Sequence, residues 1–168
     1  TMPLGDVIRF VDELVRELDL DYVVIGGIAI SAQAKPRATT DIDLIILIRP
    51  PDVDSLLASI EAKGLQISKN AEVSRKLKAG RPAKIIWDDK FSFDLRIALF
   101  SLDENAIDAA EDIDLEPYGV TLRVATPEDL IVYKLLRYDD TDRRDIKSLL
   151  ALNRHLNWEY IREQAAIL

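Results

Sequence analysis

The chain has no cysteine, so disulfides, thiol nucleophiles and thiolate metal sites are excluded together. Histidine is reduced to one residue, His155, between Arg154 and Leu156. A multi-histidine zinc centre is therefore excluded, and a Ser-His-Asp triad is not supported. Acid–base chemistry falls to carboxylates, lysine or tyrosine. No uninterrupted apolar run approaches the roughly 20 residues needed to cross a bilayer, and there is no secretory pattern. The expectation is a soluble, cytoplasmic protein with no membrane partner. Positive charge is also scarce: 22 Lys and Arg against 30 Asp and Glu give a net charge of −8. Tight wrapping of nucleic acid depends on neutralising phosphates, so only local basic patches remain available for it.

At 168 residues and 48% hydrophobic content the chain can bury a sizeable core, and the length fits one domain. Val7, Ile8, Val11, Leu14, Val15 and Leu18 recur at helical spacing, predicting a helix over Asp6 to Leu18. Asp21 to Ile25 reads as a short buried strand, Gly26 and Gly27 as a turn, and Ile28 to Ala34 as a helix ending before Pro36. Asp41 to Ile48 is a second strand. Pro50 and Pro51 end it, Asp52 can cap a following helix, and Gly64 can stop that helix.

Residues 69–84 are basic, with Lys69, Arg75, Lys76, Lys78, Arg81 and Lys84 against Glu72, and predict a short helix ending at Gly80. Lys84 to Trp87 and Phe91 to Leu99 read as a hairpin joined across Asp88, Asp89 and Lys90. Ser101 with Glu104 suggests a capping box for a helix running to about Ile113. Val120 to Val124 is the last expected strand. Thr126-Pro127-Glu128-Asp129 marks a helix start, with helices over Asp129 to Tyr138, Asp142 to Leu152 and, after a cap at Asn157, Trp158 to Ala166. The fold class expected is α/β (α+β): a mixed sheet flanked by helices. Residues 1–125 would form the sheet core and 126–168 a helical C-terminal third.

Side chains alternate along a strand, so Asp41 and Asp43 share one face while Ile42, Leu44, Ile46 and Ile48 take the other. Two carboxylates crowded at one spot repel unless a cation holds them, and an oxygen-only site favours magnesium or manganese. Taken alone, the pair is equally the exposed end of an edge strand. Asp94 changes this, because Phe91, Phe93, Leu95, Ile97 and Leu99 form one face of its strand and leave Asp94 and Arg96 on the other. Paired beside Asp41 to Ile48, that strand would bring a third carboxylate to a two-metal site. Asp94 could also take a proton from an attacking hydroxyl. Gly26-Gly27, between strand and helix, could admit a phosphate to backbone N–H groups, although such a pair also serves as a plain tight turn. Arg37 and Thr39 could hold a phosphate or orient a carboxylate, or belong to a polar loop.

The segment V-I-G-G-I-A-I-S-A-Q-A-K-P-R-A-T-T-D-I-D-L-I-I, residues 24–46, resembles the signature of the DNA polymerase β-type nucleotidyltransferase superfamily. The acid of F-D-L-R is similar to its third carboxylate. With A-T-P-E-D-L-I-V-Y-K-L-L and R-R-D-I-K-S-L-L downstream, the pattern most resembles the AbiEii and MenA-type toxin nucleotidyltransferases. The resemblance implies a nucleotidyltransferase fold, magnesium or manganese held by Asp41, Asp43 and Asp94, and a nucleoside triphosphate substrate at Gly26 and Gly27. It also gives Lys134 and Asp145 polar roles. Lys134 is otherwise a snorkelling side chain, and Asp145 a solvated helix charge. Ser148 stands where many relatives carry an acid.

The reaction this implies is transfer of a nucleoside monophosphate to a hydroxyl of RNA or protein, with a cognate antitoxin as a possible partner. Lys69 to Lys84 could guide an RNA end or be a solvated face. Two alternatives stand beside it: nucleotidylation of a small antibiotic, for which the acidic run from Asp103 to Glu116 suits a cationic drug, and a catalytically silent partner-binding domain.

Overall fold

The structure is a computed structural model and describes residues 4–36, 38–87 and 91–167. Arg37 and the expected turn at Asp88, Asp89 and Lys90 lie outside the described residues. The strands are β1 (Tyr22–Ile25), β2 (Asp43–Ile46), β3 (Ala83–Trp87), β4 (Phe91–Ile97), β5 (Glu111–Leu115) and β6 (Val120–Val124). The helices are α1 (Leu4–Glu17), α2 (Gly26–Gln33), α3 (Val53–Glu61), α4 (Asn70–Lys78), α5 (Ser101–Ala109), α6 (Pro127–Arg137), α7 (Asp140–Leu152) and α8 (Trp158–Ala166). Among the described residues no helix is long and apolar enough to cross a membrane.

The strands form one mixed six-stranded sheet in the order β3-β4-β2-β1-β6-β5. β2 lies antiparallel to β1 and parallel to β4, while β6 runs parallel to β1. Helices cover both faces. Phe10 of α1 brings its ring centroid to 6.3 Å from Phe93 on one side. On the other, Arg96 of β4 is held by Asp103 of α5, which also accepts from Tyr133 of α6. Double coverage explains why Ile45, on the same face as Asp43, is as fully buried as Leu44 and Ile46. The reading of β2 as apolar on one face only is corrected accordingly.

The helix starts follow local chemistry. Thr126 accepts the Asp129 N–H at 3.1 Å. Asp139 and Asp142 form a reciprocal capping box at the head of α7, and Asn157 accepts from Tyr160. Other expected caps do not form. Asp52 closes a 3-10 turn, Pro50–Asp52, and turns its carboxylate to Arg49. α5 begins after Phe100 with no side-chain cap. That helix ends at Ala109, and residues expected to prolong it form β5, an acid-rich edge strand paired antiparallel to β6. Ile113 and Leu115 alternate inward there, and the outward acids keep the open edge from pairing with other strands.

Candidate active site

β1 ends at Ile25 directly opposite Asp43, the first residue of β2. The chain must leave β1 and enter α2 without colliding with that carboxylate, and Gly26 makes this possible. Its φ is +73°, and a Cβ there would run into the Asp43 side chain. Only glycine meets both conditions without strain. Gly27 is different, being buried in the first turn of α2. At Gly26 the close approach is to the Asp43 side chain.

The parallel pairing of β2 with β4 sets Asp43 beside Asp94, the register expected from the two strands. Asp41, just ahead of β2, joins them: Lys84 Nζ lies 3.0 Å from Asp94 Oδ1 and 3.7 Å from Asp41 Oδ1. Thr40 also reaches the Asp41 carboxylate. Burial first, then the charge of Asp94 and a hydrogen bond with it, then Asp41, push the Asp43 carboxyl up to about 7. Asp43 is thus held toward its protonated form near neutral pH. At Lys84, burial favours the neutral amine, but the hydrogen bond with Asp94 and the charges of all three acids outweigh it and raise the pKa.

The donors fit a divalent cation by chemistry: all are carboxylate oxygens, and the Lys84 ammonium already sits between two of them. Among the described residues no three acidic or histidine side chains are already set at ligating geometry. A cation there would take the place of the ammonium.

A cleft of about 280 Å³ opens from Gly26 and Asp43 toward α6 and is walled by Leu130, Tyr133, Lys134 and Arg137. Lys134, 12% exposed, pairs with Asp145 at 2.9 Å and with Asp142 at 3.3 Å. Arg137 also holds Asp142. Burial alone would raise the Asp142 pKa, but the bonds from Arg137, the Asp139 backbone and Lys134 depress it well below the ordinary carboxylate range. Asp145 is accordingly a buried, paired acid and not a solvated helix charge. Thr39 is tied to the cluster through the Asp41 backbone. Its hydroxyl donates to the Asp41 carbonyl at 3.2 Å, and its side chain lines a larger, more apolar cleft of about 550 Å³ beside Ile28 and Tyr118.

Sequence reasoning missed Lys84 as a member of the cluster. Closing the hairpin symmetrically on residues 88–90 pairs Trp87 with Phe91 and hence Lys84 with Asp94, the observed register. It also missed the Arg96–Asp103–Tyr133 network, which no sequence spacing announces.

The model of a family described as nucleotidyltransferase of unknown function (DUF6036) matches residues 3–167. No curated protein gives a significant match. Among solved structures, the antibiotic-resistance factor ANT(2'')-Ia is 17% identical, with 97% of this chain and 89% of that one covered, at a TM-score of 0.57. The lincosamide antibiotic adenylyltransferase LnuA, bound to lincomycin, is 14% identical, with 88% and 97% covered, at 0.57. The Megavirus polyadenylate synthase is 14% identical, with 89% of this chain but 31% of that one covered, at 0.56. At these identities the likeness shows a shared nucleotidyltransferase fold.

Proposed function

Because the chain belongs to this family of nucleotidyltransferases, we propose that it moves a nucleoside monophosphate from a nucleoside triphosphate to an acceptor hydroxyl at Asp41, Asp43 and Asp94. The observation that carries the reading is the meeting of Asp43 and Asp94 across β2 and β4 against the positive-φ Gly26. Asp41, Asp43 and Asp94 would hold magnesium or manganese, which when bound polarises the triphosphate and lowers the pKa of an attacking hydroxyl. Gly26 leaves room at the head of α2, whose N–H groups face phosphate oxygens. Asp94, itself partly exposed, stands where it can accept the hydroxyl proton. Lys134 and Arg137 line the cleft from the α6 side, paired with Asp142 and Asp145, and would meet the leaving phosphates by exchanging those partners. Residues 1–125 supply the metal ligands and 126–168 this second wall.

For the acceptor we favour a small hydroxylated molecule over RNA or protein. The basic segment that could guide RNA is partly neutralised, with Lys78 on Asp54 at 2.6 Å and Lys76 on Glu72 at 3.4 Å, and the net charge of −8 repels a polyanion. Two neighbours of the same fold carry names that refer to antibiotics. A toxin with a cognate antitoxin is supported by the sequence blocks at residues 24–46, 125–136 and 143–150 alone.

The test is incubation with each labelled nucleoside triphosphate and magnesium, with tobramycin or lincomycin on one side and cell-extract RNA and protein on the other. Labelled small molecule supports the favoured reading, and labelled RNA or protein reverses the order of acceptors. Pyrophosphate release in neither arm, in a protein that binds nucleotide, would count against transfer itself.

A further inference from the structure

The carboxylate cluster already holds a cation of its own. Lys84 faces Asp94 across the antiparallel β3–β4 ladder, and its ammonium bridges Asp94 at 3.0 Å and Asp41 at 3.7 Å. The neighbouring cations are engaged elsewhere. Arg96, on the same face of β4, is bound to Asp103 at 2.5 Å, and Lys134 is bound to Asp142 and Asp145. Lys84 is also the most exposed of the three. Its side chain is 41% exposed, on a four-carbon stem that can swing away at small cost.

We infer that Lys84 is a displaceable counter-cation: it satisfies Asp41 and Asp94 while the site lacks a metal, yields to the divalent ion, and then pairs with the triphosphate that arrives with it. This rests on the reading of the three acids as metal ligands. An ammonium and a divalent ion held by the same carboxylates repel each other, so a metal entering alone must displace Lys84 into water with no new partner. A metal entering with nucleotide offers the displaced ammonium phosphate oxygens. The device favours the metal–nucleotide complex over free metal and makes Lys84 a positioning residue for the triphosphate.

The experiment titrates Mn2+, followed by its electron paramagnetic resonance signal, into wild type, Lys84→Met, Lys84→Arg and Asp43→Asn, with and without a non-hydrolysable nucleoside triphosphate. Lys84→Met should bind Mn2+ alone roughly tenfold more tightly than wild type, as removal of one nearby positive charge from a divalent site predicts. Lys84→Arg keeps the charge and should stay near wild type. Nucleotide should strengthen Mn2+ binding by a larger factor in wild type than in Lys84→Met. Lys84→Gln supplies a second neutral variant if the methionine does not fold. Wild type binding Mn2+, Asp43→Asn not binding it, and Lys84→Met binding no more tightly than wild type would overturn the counter-cation alone. Mn2+ binding that is absent from wild type even with nucleotide, or unchanged in Asp43→Asn, would overturn the metal reading of the acids instead.

Discussion

Metal-free protein should lose stability as the pH rises from about 4 to about 8, because Asp43 must then surrender a proton that the fold favours. Burial, the charge of Asp94 and the hydrogen bond with it raise this carboxyl from 3.8 to about 7. The sign follows from the two states. Below 3.8 the group is protonated folded and unfolded, and the stabilising contribution is fully present; as the pH climbs through about 7 the folded state also gives up the proton and the contribution is gone. About three pKa units at roughly 1.4 kcal/mol each bound the loss at about 4 kcal/mol, and solvent at the open side of the cluster brings it toward 2 kcal/mol. At about 2–4 °C per kcal/mol for a chain of this length, a loss of about 2 kcal/mol lowers the melting temperature by roughly 4–8 °C.

The assay is a set of thermal melts at stepped pH, constant ionic strength and in the presence of a chelator, for wild type and Asp43→Asn. The amide of the variant is neutral throughout, so it should match wild type in acid and surpass it at pH about 8. All other titrating groups are common to both, and the difference curve isolates Asp43. Magnesium at 100 times its dissociation constant should return about 2.7 kcal/mol to wild type and little to the variant. Parallel pH curves, or a variant markedly less stable at high pH, would refute the argument and make Asp43 a structural acid.

The same Asp43→Asn change should abolish nucleotidyl transfer while circular dichroism stays native, and near-normal turnover would exclude Asp43 from the chemistry. Gly26→Ala should cost about 1–2 kcal/mol for its left-handed backbone and, by displacing the Asp43 carboxylate, lower the transfer rate by roughly 100-fold; melts and steady-state kinetics measure the two effects separately. Asp103→Ala strands the guanidinium of Arg96 and the hydroxyl of Tyr133, and denaturant unfolding should register a loss of about 3–5 kcal/mol. Lys134→Met leaves buried Asp145 without its cation while Arg137 still holds Asp142; urea melts at pH 7 should show destabilisation of about 3 kcal/mol.

Most elements were legible because their signals were local. Apolar spacing located α1, prolines and caps located α3, α6 and α8, and alternation located β1, β2, β4 and β6. β5 was misread because Glu111, Asp112 and Asp114 look like the continuation of an acidic helix, while the two inward residues of an edge strand, Ile113 and Leu115, give only a weak period of two. In the site, the shared face of Asp43 and Asp94 was readable from the apolar alternation of their strands, while their pairing had to be assumed. Lys84 was readable in principle from the hairpin but was counted among the basic residues of the segment 69–84. The Asp103 and Asp142 pairings were not readable, because contacts between α5, β4 and α6, and between α6 and α7, depend on packing that has no sequence period.

Those unread pairings settle how the second wall of the cleft keeps its place. α6 meets the sheet face through Tyr133, whose hydroxyl donates to Asp103 at 2.7 Å, while Asp103 accepts two bonds from Arg96 and one from the Leu99 N–H at 3.3 Å. α7 is joined to α6 through Lys134 and Arg137. Among the described residues no buried side-chain nitrogen or oxygen lacks a partner, so these ties carry no desolvation debt of unpaired groups. An apolar contact could hold α6 against the sheet equally well but would tolerate sliding, whereas bonds of fixed direction do not. Arg96 stands two residues from Asp94 on β4, and Lys134 stands one residue from Tyr133 on α6. The network therefore fixes the separation between the acids that would hold the metal and the cations that would meet the leaving phosphates, and a shift of α6 by one helical residue would break both sets of bonds at once.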